Sequence, residues 1–215
     1  MEKCKNIIIK SKKDLKYIIF SNLKIYYKIG NLETYPPKED SFLLFSKTSE
    51  AYGEVLDMGT GSGIISLGLL RNNNVKKVVC SDICKDSLII SKINVYINFF
   101  NKINKITFIK SDLFENIKGK FDFIFFNPPY LPKEEGLGKI SKWIVGGKKG
   151  YELALKFLFQ AKEYLKDNGK IFLILSSLSS PKIFENKIKK YYSYQILKRL
   201  KFFFEEIYLY EIRKR

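Results

Sequence analysis

From Glu54 onward the chain alternates short apolar runs with longer amphipathic ones, and this pattern constrains the fold more than any other feature. Val55–Met58, Lys77–Ser81, Ile106–Lys110, Phe123–Phe126 and Lys170–Ser176 read as strands, and Ile64–Arg71, Lys85–Asn101 and Gly150–Lys166 as helices. Phe123–Phe126 is apolar without alternation, which suits a parallel strand covered on both faces. Connections long enough to hold a helix allow parallel neighbours, so the spacing predicts an α/β parallel sheet. The last two runs, Tyr194–Leu200 and Glu206–Arg213, lie close together and read as an antiparallel pair closing one edge.

Residues 1–48 read as an N-terminal extension packing on a core domain of 49–215. Within it, Ile7–Ile9 is apolar, Leu23–Ile29 ends at the turn signal Gly30-Asn31, and Leu32–Tyr35 is placed to return as a hairpin partner. Lys38-Glu39-Asp40-Ser41 opens a helical segment over Phe42–Phe45. The run Phe202-Phe203-Phe204 reads as core or edge packing.

Composition removes several chemistries. The chain has 215 residues and no histidine, which excludes Ser-His-Asp and Cys-His catalysis and every His-ligated metal site. Cys4, Cys80 and Cys84 are too few for a Cys-only zinc centre and odd in number for a disulfide framework, so no metal is expected and a reducing compartment fits. No signal-peptide core and no run near the roughly 18 apolar residues of a membrane span occurs. A soluble, cytoplasmic protein away from membranes is the expectation. The formal charge of +17 makes a nucleic-acid partner possible without requiring one; a nucleotide-biased genome would enrich lysine, asparagine and isoleucine together in any case.

Asp57-Met58-Gly59-Thr60-Gly61-Ser62-Gly63 lies between the first strand and the first helix of the alternation. Glycines allow a sharp turn and close backbone approach by a ligand, and the free N–H groups of the helix start suit a carboxylate or phosphate. Asp82, nineteen residues after Gly63, ends the next strand, where an acid can accept hydrogen bonds from ribose hydroxyls. The spacing is G-x-G-x-G, not the G-x-G-x-x-G of dinucleotide folds, which disfavours a nicotinamide-dependent oxidoreductase. Asn127-Pro128-Pro129-Tyr130 ends the fourth strand, at the carboxyl edge where open α/β sheets bind ligands. A planar nitrogen attacking an electrophile must have its hydrogens held and its lone pair aimed. Asn127 can accept one N–H and a neighbouring backbone carbonyl another, and Tyr130 can stack on the planar group. Such orientation is worth up to about 7–11 kcal/mol.

The glycine loop with its preceding acid resembles that of class I S-adenosylmethionine-dependent methyltransferases. The resemblance implies a Rossmann-like, mostly parallel seven-stranded sheet with an antiparallel C-terminal edge hairpin and helices on both faces. It also implies S-adenosyl-L-methionine as cofactor, held by Asp57, Gly59, Thr60, Gly61, Gly63, Asp82, Ile83, Ser111, Asp112, Leu113 and Asn127. Asn-Pro-Pro-Tyr is shared by methyltransferases acting on adenine, on guanine and on glutamine amides. By that resemblance Asn127, Pro128 and Tyr130 are the catalytic set, with Pro129 and Asp40 beside them in acceptor binding. Tyr35-Pro36-Pro37-Lys38-Glu39-Asp40-Ser41-Phe42-Leu43-Leu44, together with Trp143 and Gly146-Gly147-Lys148-Lys149-Gly150, resembles the short archaeal and eukaryotic branch of HemK-like protein-glutamine methyltransferases. That branch implies N5-methylation of the glutamine in the Gly-Gly-Gln loop of a class 1 translation termination (release) factor. The alternatives are N-methylation of an exocyclic amino group of adenine or guanine in RNA or DNA, and a non-catalytic cofactor-fold scaffold.

The segment Lys85–Asn101 has apolar residues at Ile89, Ile93, Tyr96, Ile97 and Phe100, which reads as a core-facing stripe. Leu88, Ile90, Val95 and Phe99 add a second apolar side. The family's short branch implies a small zinc-ribbon activator subunit over this region, and Ile106–Lys110 is the candidate free edge for it. The other occupant considered for the same surface is the N-terminal segment itself. Cys80 and Cys84 read as a core thiol and a helix-start thiol.

Overall fold

The computed structural model describes residues 8–12, 14–133 and 141–215; Cys4 and Ile7 lie outside the described residues. Four antiparallel strands come first, β1 (Ile8–Lys12), β2 (Leu15–Phe20), β3 (Leu23–Ile29) and β4 (Leu32–Glu33), paired in that order as a separate sheet. Then α1 (Glu39–Phe45) leads into β5 (Gly53–Met58), α2 (Ile64–Arg71), β6 (Val75–Asp82), α3 (Lys85–Phe99), β7 (Ile106–Lys110) and β8 (Phe121–Phe126). A short parallel pair, β9 (Leu131–Pro132) and β10 (Val145–Gly147), flanks α4 (Ser141–Ile144). The chain closes with α5 (Glu152–Tyr164), β11 (Leu165–Ser176), α6 (Pro181–Ile188), β12 (Tyr192–Lys201) and β13 (Glu206–Lys214).

The main sheet has seven strands in the order β12-β13-β11-β8-β5-β6-β7. Pairing is parallel from β11 through β7 and antiparallel where β13 meets β11 and β12. The chain runs outward from β5 through β6 to β7, then returns to lay β8 against the other side of β5. That reversal opens a crevice at the carboxyl ends of β5 and β8. Phe123 and Phe125 of β8 face one apolar layer, with Leu67 and Phe172, while Ile124 and Phe126 face the other, with Phe157 and Leu173. The uninterrupted apolar run in β8 is thus explained by burial on both faces.

Helix α3 reverses one expectation. Its buried face is Ser87, Ile90, Ser91, Asn94 and Val95, whereas Tyr96, Ile97 and Phe100 are exposed. Polar residues face inward because the fold gives each a partner. Ser87 bonds Thr34 at 2.8 Å, and the Asn94 amide donates to the Tyr26 and Ser62 carbonyls at 2.8 Å while accepting from the Tyr26 N–H at 2.9 Å. One turn on, Asn98 accepts from the Lys24 N–H at 3.0 Å and donates to its carbonyl at 2.8 Å. Two asparagines thereby satisfy the backbone of β3 where β4 is too short to reach it. This clamp seats the N-terminal sheet on one face of α3 and leaves the apolar stripe outward, near β7.

Five elements had no counterpart among the strands and helices expected: β2, the short β9, α4 and β10, and α6. The aromatic run also differs from expectation, because Phe203 and Phe204 are 92% and 83% exposed at the β12–β13 tip. Cys80 is a buried free thiol, and Cys84, half-buried and also free, stands at the start of α3, matching a core thiol and a helix-start thiol. No helix among the described residues is long and apolar enough to cross a membrane.

Candidate active site

Gly59, Gly61 and Gly63 all adopt positive φ, at 64°, 54° and 79°, a conformation that costs other residues about 1–2 kcal/mol. A Cβ on Gly63 would run into Ser91 of α3, so the loop also needs glycine for close helix approach. Asp57 braces the loop from beneath. Its Oδ2 accepts from the Thr60 hydroxyl at 2.7 Å and from the Ser66 N–H and hydroxyl at 3.0 and 2.6 Å. Burial nevertheless pushes its carboxyl up to about 6, because three neutral donors do not replace the water it has lost.

Asp82 ends β6 on the same rim. It accepts from the Gly61 N–H at 2.9 Å and the Cys84 N–H at 2.8 Å, and burial raises its pKa against those bonds. A carboxylate has about four lone-pair sites, so capacity remains for hydroxyls of a ligand. Ser111 shapes the next turn, donating to the Leu113 carbonyl at 2.8 Å and accepting from the Asn116 N–H at 2.9 Å. Leu113 is held at φ 48°, an unusual conformation for a leucine, while Asp112 is half-exposed and 3.6 Å from the Lys156 ammonium. Strain of this kind collects at ligand sites.

Asn127 continues from β8. Its Nδ2 donates to Asp40 Oδ2 at 3.1 Å. A carboxylate offers only acceptors, so the amide is fixed with its NH2 towards Asp40 and its oxygen away. That Oδ1 is buried and has no hydrogen-bond partner among the described residues. The same Asp40 oxygen accepts from the Tyr130 hydroxyl at 3.0 Å and the Tyr35 hydroxyl at 3.2 Å, and the other oxygen accepts from the Ser41 N–H at 2.6 Å. Burial first, and the Asp40 charge second, push both phenols above their usual range, so both remain protonated donors. Asp40 was expected among the acceptor contacts; the structure places it behind Asn127 as the hub for three donors.

The backbone after Asn127 is fixed by close packing. The Tyr130 carbonyl accepts from the Ser179 hydroxyl. Cβ atoms added at Gly146 or Gly150 would collide with the backbone of Pro129 to Pro132, which gives the Gly-Gly-Lys-Lys-Gly segment a steric reason. One crevice of about 890 Å³ joins both halves, with Asp57, the glycine loop, Asp82, Ile83 and Ser111 to Leu113 at one end and Asp40 and Asn127 to Tyr130 at the other. Every residue expected in the site therefore lines it except Gly63, which lies just behind the loop, packed against Ser91 of α3. Glu33, Thr34, Phe202, Glu205 and Ile207 line it as well, and nothing in the sequence reading pointed to them. Among the described lining residues, seven carboxylates face only two lysines, Lys16 and Lys38. The crevice is thus acidic although the chain is strongly basic.

This strand order and a glycine cradle opposite an Asn-Pro-Pro-Tyr edge define a class I methyltransferase. A family model described as the methyltransferase small domain matches residues 39–203. A candidate protein N5-glutamine methyltransferase of Methanocaldococcus jannaschii is 39% identical over 181 residues, spanning 81% of this chain and 89% of that one. Methyltransferase HEMK2 of Mus musculus is 30% identical, spanning 69% and 74%. The chain belongs to the methyltransferase small domain family and, within it, to the HemK-related protein N5-glutamine methyltransferases. It spans about half the length of the release factor glutamine methyltransferases of Streptococcus pneumoniae and Lactococcus lactis, 48% and 46%. Among solved structures, the E. cuniculi Mtq2-Trm112 complex, described as responsible for methylation of the eRF1 termination factor, matches with a TM-score of 0.64. It is 24% identical and covers 85% of this chain and 99% of that one.

Proposed function

We propose that this protein transfers a methyl group from S-adenosyl-L-methionine to the side-chain amide nitrogen of a glutamine, in the Gly-Gly-Gln loop of a class 1 release factor. The observation that carries the reading is the Asn127 Oδ1, buried, without a partner among the described residues, and turned away from Asp40 by the bond its own NH2 makes. An unpaired buried acceptor costs about 1–3 kcal/mol, which a bound N–H donor relieves. Family membership and the names of the relatives supply the amide; the acidic crevice speaks against the nucleic-acid alternative, whose phosphates it would repel.

The cofactor end fits the group. Gly59, Thr60, Gly61 and Gly63 would cradle its amino-acid part, Asp82 would accept from its ribose, and Ile83, Ser111, Asp112 and Leu113 would border its adenine. When bound, the cofactor supplies a methyl carbon on a cationic sulfur, so the acceptor nitrogen needs no base before attack. Asn127 then accepts one N–H of the glutamine amide, and Pro128 and Pro129, lacking N–H groups, leave nearby carbonyls free to accept the other. Tyr130 walls the planar group, and Asp40 acts as a positioning residue that fixes the Asn127 amide. Incubation with labelled cofactor should label a recombinant release factor and leave its Gly-Gly-Ala variant unlabelled. Label on the variant, or on RNA alone, contradicts the proposal.

We also propose that a small zinc-ribbon activator seats on this chain, beside β7. Among the described residues β7 pairs only with β6, so its outer edge is unpaired. Beside it Tyr96, Ile97 and Phe100 are exposed, and the N-terminal sheet occupies the other side of α3. An added strand at β7 would satisfy the edge and bury that stripe. Co-expression with such a subunit should raise soluble yield; an equally soluble lone chain that binds none contradicts it.

A further inference from the structure

Residues 202–205 form the tip of the β12–β13 hairpin, closed by the Phe202 N–H donating to the Glu205 carbonyl at 2.7 Å. Phe202 and Glu205 line the catalytic crevice together with Asp40, Asn127 and Tyr130, and Phe203 and Phe204 project outside it. Glu205 Oε1 is shielded from solvent and has no hydrogen-bond partner among the described residues. A carboxylate oxygen in that condition calls for a donor, and none of the described side chains supplies one. Tyr35 and Tyr130, whose phenols feel the Glu205 charge, both commit their hydroxyls to Asp40.

The hairpin is held in register with the Asn-Pro-Pro-Tyr backbone. The Glu206 N–H donates to the Ser177 hydroxyl at 2.9 Å, and Ser179 of the same short turn donates to the Tyr130 carbonyl. Glu205 and Asn127 are therefore set by one anchor and face one space. Two unpaired acceptors in one acidic crevice match a ligand that brings several N–H groups and no phosphate, as an extended peptide carrying a side-chain amide does. Outside, the Phe203 and Phe204 rings stack edge to face with centroids 4.6 Å apart. Adjacent exposed aromatics at the rim of a substrate crevice offer apolar area to whatever carries that peptide.

We propose that this hairpin tip is the acceptor-protein clamp. Glu205 takes an N–H of the acceptor loop inside the crevice, and Phe203 and Phe204 seat on the acceptor protein outside it. The clamp rests on the glutamine-methylation reading and adds to it the element that selects a protein.

The test compares the wild type with E205A, E205Q and F203S/F204S on a full-length release factor, on a short peptide containing Gly-Gly-Gln, and on bulk RNA. Cofactor affinity by calorimetry reports whether each variant is folded. E205A should lower kcat/KM on both protein and peptide by about tenfold to a hundredfold, as loss of a charged hydrogen bond does. E205Q should recover part of this, since its amide oxygen still accepts. F203S/F204S should raise KM for the protein at least about fivefold while kcat and the peptide reaction stay unchanged. A wild type active on protein, with E205A at wild-type kcat/KM or F203S/F204S at wild-type KM, overturns the clamp and leaves the glutamine reading standing. A wild type that labels RNA and neither protein nor peptide removes both.

Discussion

Replacing Asp40 by asparagine tests the hub behind Asn127 with almost no change of shape. Three donors converge on one Asp40 oxygen, from Asn127 at 3.1 Å, Tyr130 at 3.0 Å and Tyr35 at 3.2 Å, while Ser41 donates to the other. In D40N the amide oxygen would keep the Ser41 N–H and turn its NH2 towards the other three. The phenols can answer by rotating their hydroxyls to accept. Asn127 can answer only by flipping its own amide, which brings its oxygen back towards the hub and points an NH2 into the crevice. A hydrogen bond to a charged group is worth about 1.5–3 kcal/mol, and the flip removes the acceptor for the incoming N–H as well. The combined loss of about 2–4 kcal/mol corresponds to a fall in kcat of roughly 30- to 1,000-fold. Single-turnover methyl transfer measures it, with cofactor affinity by calorimetry as the control, since Asp40 lies at the acceptor end. A D40N variant with wild-type kcat would refute the positioning role, and an equal loss of cofactor affinity would show general collapse of the crevice instead.

Other expectations follow from the same geometry. G63A places a Cβ against Ser91 at a φ of 79°, so it should lower Tm and weaken cofactor binding together; a variant with unchanged affinity would contradict the cradle. The Asp57 carboxyl, at about 6 in the fold and 3.8 ordinarily, binds more protons folded than unfolded between those values. Its contribution is therefore present at low pH and lost as pH rises through about 6, by about 3 kcal/mol. The Tm of the cofactor-free protein should accordingly carry a downward slope from about pH 4 to 7 that D57N flattens, and parallel profiles would refute the assignment. Serine at Tyr96, Ile97 and Phe100 should abolish capture of a zinc-ribbon subunit in co-purification while methyl-donor affinity is kept. Undiminished capture would place the partner elsewhere.

The parts of the fold governed by local periodicity were readable from the sequence. Ile64–Arg71 and Ile106–Lys110 have the bounds expected, because a glycine loop and a change of period mark their ends. Strand β2 was missed because lysines precede it and its partners lie on either side in the N-terminal sheet, so its pairing is tertiary. Helix α6 starts at Pro181 after Ser180, an ordinary start signal that was passed over, and its apolar positions are too few to mark a core-facing stripe; Ser180 itself is left-handed and makes no side-chain cap bond. The faces of α3 were exchanged because hydrophobicity alone ranks serine and asparagine as surface residues. Their burial here depends on backbone groups of β3 and the glycine loop that sequence spacing does not reveal. In the site, residues carried by a motif were legible. Glu205 was not, since it reaches the crevice by the return of a hairpin more than seventy residues beyond Asn127.

The central claim is that the Asn127 oxygen, aimed by Asp40, holds a planar amide nitrogen for methyl transfer. Mass spectrometry of a release factor incubated with cofactor and either wild-type protein or N127A measures it directly. The wild type should add one methyl group to the Gly-Gly-Gln side chain, and N127A should bind cofactor normally yet leave that glutamine almost unmodified. Full methylation by N127A, or a methyl group on any other residue, would contradict the account.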